Sequence, residues 1–237
     1  MEMFPTATTA NVAASKPQVA VLPIGSFEQH GSFLPLATDS IVATAIASAV
    51  ATRYNVLLLP PITISCSHEH AAWPGTVSIS HTALSAIIAD IRTSLNGSGI
   101  TKLILINGHG GNYVLSNIVQ TANAAEPRSM SLFPTRTDWD AARAAAHLDT
   151  DAHHDMHAGE VEVSILLHVQ PELVGSAYRD GDHAADDRSM LLVEGMRAYT
   201  TTGIIGKPSA GTAEKGILLL ASLVASFQQH FNLLQAR

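Results

Sequence analysis

Hydrophobic positions along the chain form short apolar runs that alternate with segments of helical spacing. Apolar, β-branched runs predict buried strands at residues 18–25, 56–64, 102–107 and 130–134. Helical spacing predicts helices over residues 38–53, 82–95, 113–125, 138–147 and 212–234, while the apolar segment 159–169 fits a helix or a strand. Because the strands are apolar on both faces, the pattern predicts an α/β fold with a parallel sheet covered by helices.

The two ends of the chain differ in character. Residues 1–16 are rich in Thr, Ala and Asn and lack a clear period, so we predict a flexible N-terminal arm. We find no linker in residues 17–237 and predict one domain there. The segment 216–227 is the longest candidate for a membrane span, and it has about half of the ~20 residues needed. We therefore expect a buried helix in a soluble protein.

Composition narrows the functional classes. The chain is 46% hydrophobic and 14% charged, which is enough for a sizeable aliphatic core. Its net charge of −7, without a block of basic residues, argues against a nucleic-acid partner. The single cysteine, Cys66, excludes an internal disulfide and fits a cytoplasmic location, and no segment resembles an export signal.

Twelve histidines are present, and several stand beside glycines and acids directly after predicted strands. Ligands of parallel α/β folds bind at this end of the strands. Residues 25–31 read Gly-Ser-Phe-Glu-Gln-His-Gly after the first strand, and Asp39 starts the next helix. Glu28, His30 and Asp39 can converge if the loop doubles back. The competing interpretation is that Thr38 or Asp39 serves as the N-cap of that helix.

A second candidate segment follows the third strand. Residues 107–112 read Asn-Gly-His-Gly-Gly-Asn, so His109 is the one sizeable side chain in a tight turn. A glycine-rich turn also suggests a phosphate cradle, but the dinucleotide-binding spacing and a Lys-Ser/Thr pair are both missing. A metal-ligand histidine is the better interpretation.

The third candidate segment, residues 155–162, reads Asp-Met-His-Ala-Gly-Glu-Val-Glu. If it opens a helix, His157 and Glu160 share a face, a spacing used by metal sites and by acid–base pairs. The alternative is a solvated first turn, where acids are favoured by the helix dipole.

These segments supply five candidate metal ligands: Glu28, His30, Asp39, His109 and Glu160. Three carboxylates and one hydroxide ion would balance the charge of two divalent ions, whereas a single ion would be over-ligated. The set therefore predicts two metal ions with one shared carboxylate. Mixed nitrogen and oxygen ligands suit Zn, Mn or Fe.

The same motifs, with those at residues 73–76 and 211–216, resemble the creatininase family of amidohydrolases in the right order over residues 19–220. The resemblance implies a three-layer α/β/α sandwich with a mainly parallel sheet, and a compact oligomer that is commonly a hexamer. By position, Glu28 and His109 would hold one metal ion, His30 and Glu160 the other, and Asp39 would bridge them. His157 matches the position of a proton shuttle.

The resemblance further implies hydrolysis of a C–N amide-type bond, which we expect in a small cyclic amide or formamide. The loop carrying His68 and His70 follows the second strand and, with Trp73, is predicted to line the substrate pocket. Creatininase itself has an acidic residue where this chain has Gly111, which argues against creatinine as the substrate. Two alternatives are a metallopeptidase that trims a modified peptide in cofactor maturation and a metal-binding assembly protein without turnover.

Overall fold

The structure, a computed structural model, describes residues 4–236. Residues 1–3 of the predicted arm and residue 237 of the predicted domain lie outside the described part. Within the arm, Thr9–Ser15 form helix α1, which begins with a capping box between Thr8 and Asn11 and has no buried residue. The segment predicted to lack regular structure therefore contains a short, exposed helix.

Four strands form one parallel sheet in the order β2–β1–β3–β4. They are β1 (Val19–Ile24), β2 (Val56–Leu58), β3 (Lys102–Asn107) and β4 (Met130–Phe133). The predicted second strand, 56–64, ends early because Pro60 and Pro61 follow and prolines have no N–H for the ladder. The prediction of a parallel sheet is confirmed.

The larger helices follow the predicted segments closely. They are α2 (Thr38–Arg53), α3 (His81–Gly97), α4 (Val114–Ala125), α5 (Arg136–Ala145), α6 (Glu160–Val169), a single turn α7 (Leu191–Glu194), and α8 (Ala213–Gln235). The segment that fitted either a helix or a strand is thus helical. At α2 the N-cap is Ala37, so neither Thr38 nor Asp39 caps the helix. Thr38 instead donates its hydroxyl to the carbonyl of Pro35.

Helices cover both faces of the sheet, and alternate residues of each strand point to different cores. Val19 and Val21 of β1 belong to the core with α2, α5, α6 and α8, whereas Ala20 and Leu22 belong to the core with α3 and α4. This arrangement is the predicted three-layer sandwich. It leaves the carboxyl ends of the strands free to carry functional groups.

Helix α8 closely matches the predicted helix of residues 212–234 and contains the apolar segment 216–227. By length and composition alone it could cross a membrane, and it is the one such helix among residues 4–236, although core helices pass the same test. Leu219, Leu223 and Phe227 on one side of it are fully buried in the first core.

Two glycines bring the ends of β1 and β3 against the start of α2. A Cβ at Gly25 would overlap the backbone of Ser40, and a Cβ at Gly108 would overlap the carbonyl oxygen of Asp39. Only glycine permits this close approach. It places Asp39 between the loops that follow the two strands.

Candidate metal centre

Four of the five predicted ligands meet at the carboxyl ends of β1 and β3. Glu28, His30, Asp39 and His109 are all buried there. Asp39 lies between the two histidines: its Oδ1 is 3.1 Å from His30 Nε2, and its Oδ2 is 3.1 Å from His109 Nδ1. Asp39 is thus the carboxylate that reaches both halves of the cluster.

Each of these histidines is oriented by a backbone carbonyl on its outer side. His30 donates Nδ1–H to the carbonyl of Glu28 at 3.0 Å, and His109 donates Nε2–H to the carbonyl of Cys66 at 2.9 Å. The nitrogens that face the carboxylates are therefore free to bind a cation. Metal-binding histidines are commonly fixed in this way.

Glu162, and not the predicted Glu160, is the acid of α6 that lies beside these four residues. Glu162 Oε1 lies 3.7 Å from His30 Nε2, and its Oε2 accepts a hydrogen bond from the backbone N–H of Ala158. The carboxylate of Glu160 instead accepts hydrogen bonds from the backbone of Asp149 and Thr150 and contacts Lys215 Nζ at 2.5 Å.

The start of α6 explains this exchange. Residues two apart on a helix point in nearly opposite directions, so Glu160 and Glu162 cannot face the same site. The carboxylate of Asp155 accepts hydrogen bonds from the N–H groups of Glu160 and Val161, which fixes where the helix begins. The sequence motif contains both acids. If the helix is taken to begin at residue 160, helical periodicity places Glu160 and Glu162 on different faces.

His157 lies before α6 rather than on it, so the predicted shared face with Glu160 is wrong. Its backbone pairs with Ile205, and the next residue, Ala158, has a positive φ of 54° that interrupts a helix. The ring nevertheless belongs to the cluster. His157 Nε2 donates to the backbone carbonyl of Gln29 at 2.7 Å, and Nδ1 lies 3.7 Å from Glu28 Oε1.

The three residues predicted to line the substrate pocket occupy different surroundings. His70 is buried, with Nε2 3.3 Å from Glu28 Oε1. His68 is exposed, and its Nδ1 lies 3.2 Å from the Ser78 hydroxyl. Trp73 is half-buried beneath the guanidinium of Arg197, which is 5.3 Å from the ring centroid.

A cavity of about 440 Å³ reaches the cluster from the side of α5. His109, His157 and Glu162 line it together with Trp139 and Met156. His68 lines a separate cavity of about 490 Å³ with Glu69 and Tyr113. The walls of the cavity beside His157 thus include several members of the cluster.

The buried carboxylates of the cluster favour positive charge at the site. Burial alone would lower the pKa of His30, but the charges of Asp39 and Glu162 raise it well above its ordinary value. Burial likewise opposes the charge on His109, yet Glu28 and Asp39 raise its pKa. The pKa of Asp39 is shifted downward by His30 and His109, against the effect of burial.

His157 behaves differently from those two histidines. Burial, followed by the charge of His30, lowers its pKa below the usual value, so the ring is neutral near pH 7. Its proton is on Nε2, which donates to Gln29, and Nδ1 is therefore a free acceptor. Such a nitrogen is able to take up a proton or to bind a cation.

Three buried carboxylate oxygens test whether the cluster fits metal ions. Among residues 4–236, Glu28 Oε1 and Oε2 and Asp39 Oδ2 make no hydrogen bond, although His109 Nδ1 lies 3.2 Å from Glu28 Oε1 and 3.1 Å from Asp39 Oδ2. Buried carboxylate oxygens without hydrogen bonds are costly unless a cation is present. Three groups have ligand atoms within 4.8 Å of one another: Glu28, Asp39 and His109; His30, Asp39 and Glu162; and Glu28, His30 and His157. The first two share Asp39, and their donors suit a divalent metal.

Comparison with known proteins agrees with the motifs. The family model described as "Creatininase: Creatinine amidohydrolase" matches residues 5–231. The chain belongs to the creatininase family. It is therefore an amidohydrolase, a hydrolase of C–N amide bonds, as the sequence resemblance predicted.

Relatives in the creatininase family include both peptidases and creatinine hydrolases. The mycofactocin precursor peptide peptidase of Mycobacterium ulcerans is 33% identical over 92% of this chain and 86% of that protein. The creatinine amidohydrolase of Pseudomonas putida is 31% identical over 38% of this chain and 37% of that protein. A solved creatinine amidohydrolase superposes with a TM-score of 0.78 at 24% identity, covering 94% of this chain and 93% of that chain, which shows the fold.

The departure at Gly111 has a structural counterpart in this creatininase-family chain. The carboxylate of Glu69 and the ring of His109 fill the space that a side chain at position 111 would enter. Glu69 Oε1 lies 3.5 Å from His109 Nε2. Sequence reasoning assigned no role to Glu69, because its position beside His109 depends on how the loop after β2 folds back.

Proposed function

We propose that this protein uses two divalent ions, Zn, Mn or Fe, to hydrolyse a C–N amide-type bond in a small cyclic amide or formamide. One group of ligands is Glu28, Asp39 and His109, and the other is His30, Asp39 and Glu162. Asp39 is shared between them. The observation that carries the proposal is this buried pair of ligand groups, in which Glu28 Oε1 and Oε2 and Asp39 Oδ2 make no hydrogen bond within the described part of the chain and lie beside a neutral His157.

Ions bound here would supply Lewis-acid chemistry, lowering the pKa of water and polarising a substrate carbonyl. Solved creatininases of this fold include a zinc–zinc form and a manganese form, which supports the choice of metals for this chain. Cys66 presents its backbone carbonyl to His109, so sulfur is not needed in the proposed ligand set.

The protein's own groups then orient the substrate and move protons. The carboxylates, with His30 and His109, would hold the ions. The free Nδ1 of His157 accepts the proton that the attacking water gives up and returns it to the departing nitrogen. Trp139 and Met156 contribute apolar surface to the cavity. A volume of about 440 Å³ matches sites that enclose a small molecule.

A second candidate function is peptide hydrolysis. It is favoured by the identity to mycofactocin precursor peptide peptidases, which extends over 92% of this chain in proteins of Mycobacterium ulcerans and Mycobacterium tuberculosis. A peptidase needs room for chain on both sides of the scissile bond. In this chain such a substrate would have to pass Arg136 and Trp139 at the cavity.

A substrate screen separates these functions. Metal-loaded protein is incubated with cyclic amides, N-formyl amines and short peptides, and new amine or carboxylate is quantified. Turnover of the cyclic amides or formamides supports the first proposal, and turnover of peptides alone supports the second. If no amide bond is cleaved by protein that holds its ions, the non-catalytic alternative replaces both. The proposed hexamer is measured on the same sample by light scattering, where a monomer at micromolar concentration would contradict it.

A further inference from the structure

Gln29, between Glu28 and His30 in sequence, has a side chain whose orientation is fixed by two backbone groups. Its Oε1 accepts a hydrogen bond from Gly31 N–H at 3.0 Å, and its Nε2 donates to the carbonyl of Gly203 at 2.8 Å. A backbone N–H only donates and a carbonyl only accepts, so the amide cannot be reversed. The residue is 4% exposed, which keeps water from replacing these partners.

This orientation determines which nitrogen of His70 carries a proton. Gln29 Nε2 has a second hydrogen, and it lies 3.0 Å from His70 Nδ1. An amide nitrogen does not accept hydrogen bonds, so Nδ1 of His70 must be the acceptor. A ring nitrogen that accepts a hydrogen bond carries no proton, so the one proton of His70 is on Nε2. That nitrogen is 3.3 Å from Glu28 Oε1.

The backbone of Gln29 acts on a second histidine. Its carbonyl oxygen accepts the Nε2–H of His157 at 2.7 Å, which makes Nε2–H the tautomer of the neutral ring. The two rings are neighbours, with centroids 4.4 Å apart. One residue therefore contacts both imidazoles, through its side chain on one and through its carbonyl on the other.

We propose that Gln29 is a positioning residue that fixes the tautomers of His70 and His157. Gln29 keeps the proton of His70 on Nε2, beside Glu28. His70 then supports the ligand Glu28 and is neither a metal ligand nor a substrate contact itself. Gln29 also leaves Nδ1 of His157 open toward the reaction. The catalytic consequence rests on the proposed function, whereas the assignment of the two tautomers does not.

Gln29→Glu is the sharpest test because it keeps the shape of the side chain and removes the donor that faces His70, although it also adds a negative charge. The oxygen that replaces Nε2 has no proton to donate, so His70 must move its own proton to Nδ1 to keep the contact. The backbone carbonyl is unchanged, so His157 should keep its tautomer. Gln29→Met removes the donor without adding charge. Gln228→Glu is the matched control, because it makes the same Gln-to-Glu change on the exposed side of α8, where Gln228 contacts Asn232.

Solid-state ¹⁵N NMR of the histidine-labelled full-length protein reads the tautomers at any oligomer size. Spectra are recorded with metal bound and after chelation, and His70→Gln and His157→Gln variants assign the two rings. We expect Nε2–H on both rings in the unmodified protein and in Gln228→Glu. In Gln29→Glu the signal of His70 alone should change to Nδ1–H, and in Gln29→Met it should show both forms.

An Nδ1–H tautomer of His70 in the unmodified protein, or an unchanged His70 signal in both Gln29 variants, would overturn the proposal. A Gln29→Glu protein that does not fold leaves Gln29→Met to decide. Turnover and metal affinity form a separate readout, where loss of a partner behind a ligand typically costs about 10- to 100-fold. If the protein binds no metal while the tautomers are as expected, the proposed function fails and the inference about Gln29 stands.

Discussion

Lys215 neutralises Glu160 outside the candidate metal centre: its Nζ lies 2.5 Å from a carboxylate that is fully buried. Two residues further on, Glu162 faces His30 instead. In the first turn of α6, Glu160 thus stabilises the fold through Lys215, and Glu162 belongs to the candidate metal centre. This division leads to two predictions that a site containing Glu160 would not make.

The first prediction compares Glu160→Gln with Glu162→Gln. Glu162→Gln should lose the ion shared with His30 and Asp39, because an amide is a poor ligand for this ion and adds no negative charge. Glu160→Gln should keep the full metal content, since its partners are Lys215 and the backbone of residues 149 and 150. Elemental analysis of the two purified variants decides; the reverse pattern would return Glu160 to the ligand set.

The second prediction concerns stability at alkaline pH. Contact with Glu160, opposed by burial, raises the pKa of Lys215 above its usual value. A raised folded-state pKa stabilises the fold fully below the unfolded pKa of ~10.4, and this contribution is lost as pH rises through the folded value. Lys215→Met should cost about 1–3 kcal/mol near pH 7, because it leaves Glu160 buried without its charged partner.

Denaturant unfolding of both proteins at several pH values tests this linkage. The difference in unfolding free energy should be constant through neutral pH and should shrink above pH ~10.4. A difference that stays the same across that range would show that the ion pair contributes nothing through the charge of Lys215. Subtracting the two curves removes the titration of the other lysines and tyrosines.

Much of the fold could be predicted from local sequence because its elements carry strong periodic signals. The helical spacing of apolar residues over 38–53 and the buried apolar run at 102–107 predicted the bounds of α2 and β3 that the structure has. Strand β2 was overestimated because Pro60 and Pro61 extend the apolar run while breaking the ladder. Glu28, His30, Asp39 and His109 could be predicted to lie together, because they follow or face parallel strands whose carboxyl ends lie at the same edge of the sheet.

The remaining parts of the site depend on contacts that no local pattern encodes. Choosing Glu162 over Glu160 requires the starting residue of α6, which Asp155 sets from outside the helix. The roles of Gln29 and His70 depend on Gly203, which is distant in sequence. Glu69 reaches His109 only because its loop packs onto the turn at Gly111.

The third prediction concerns Asp39, whose two oxygens reach different halves of the centre. Asp39→Ala should remove both ions, whereas Glu28→Gln should mainly weaken the ion held with His109. Asp138→Asn provides a control, since it changes another buried acid that caps α5 away from the site. Metal retained in Asp39→Ala at the level of the control would disprove the bridging role.

The fourth prediction separates proton transfer from metal binding at His157. His157→Gln should keep the metal content and the fold but lower kcat by ~10²- to 10⁴-fold, the usual contribution of general acid–base catalysis. His230→Gln, which alters a part-buried histidine bonded to Ser131 and Asp138, should leave kcat nearly unchanged. Loss of an ion from His157→Gln would instead make Nδ1 a ligand, in agreement with the third group of ligand atoms.

The most direct measurement is the metal stoichiometry of active protein. Full-length protein is stripped with a chelator, reloaded in steps with Zn²⁺ or Mn²⁺, and assayed for bound ions per chain and for amide hydrolysis. The two-ion centre predicts activity that is absent without metal and reaches its maximum at about two ions per chain. Full activity at one ion per chain, or activity that survives complete removal of metal, would contradict it.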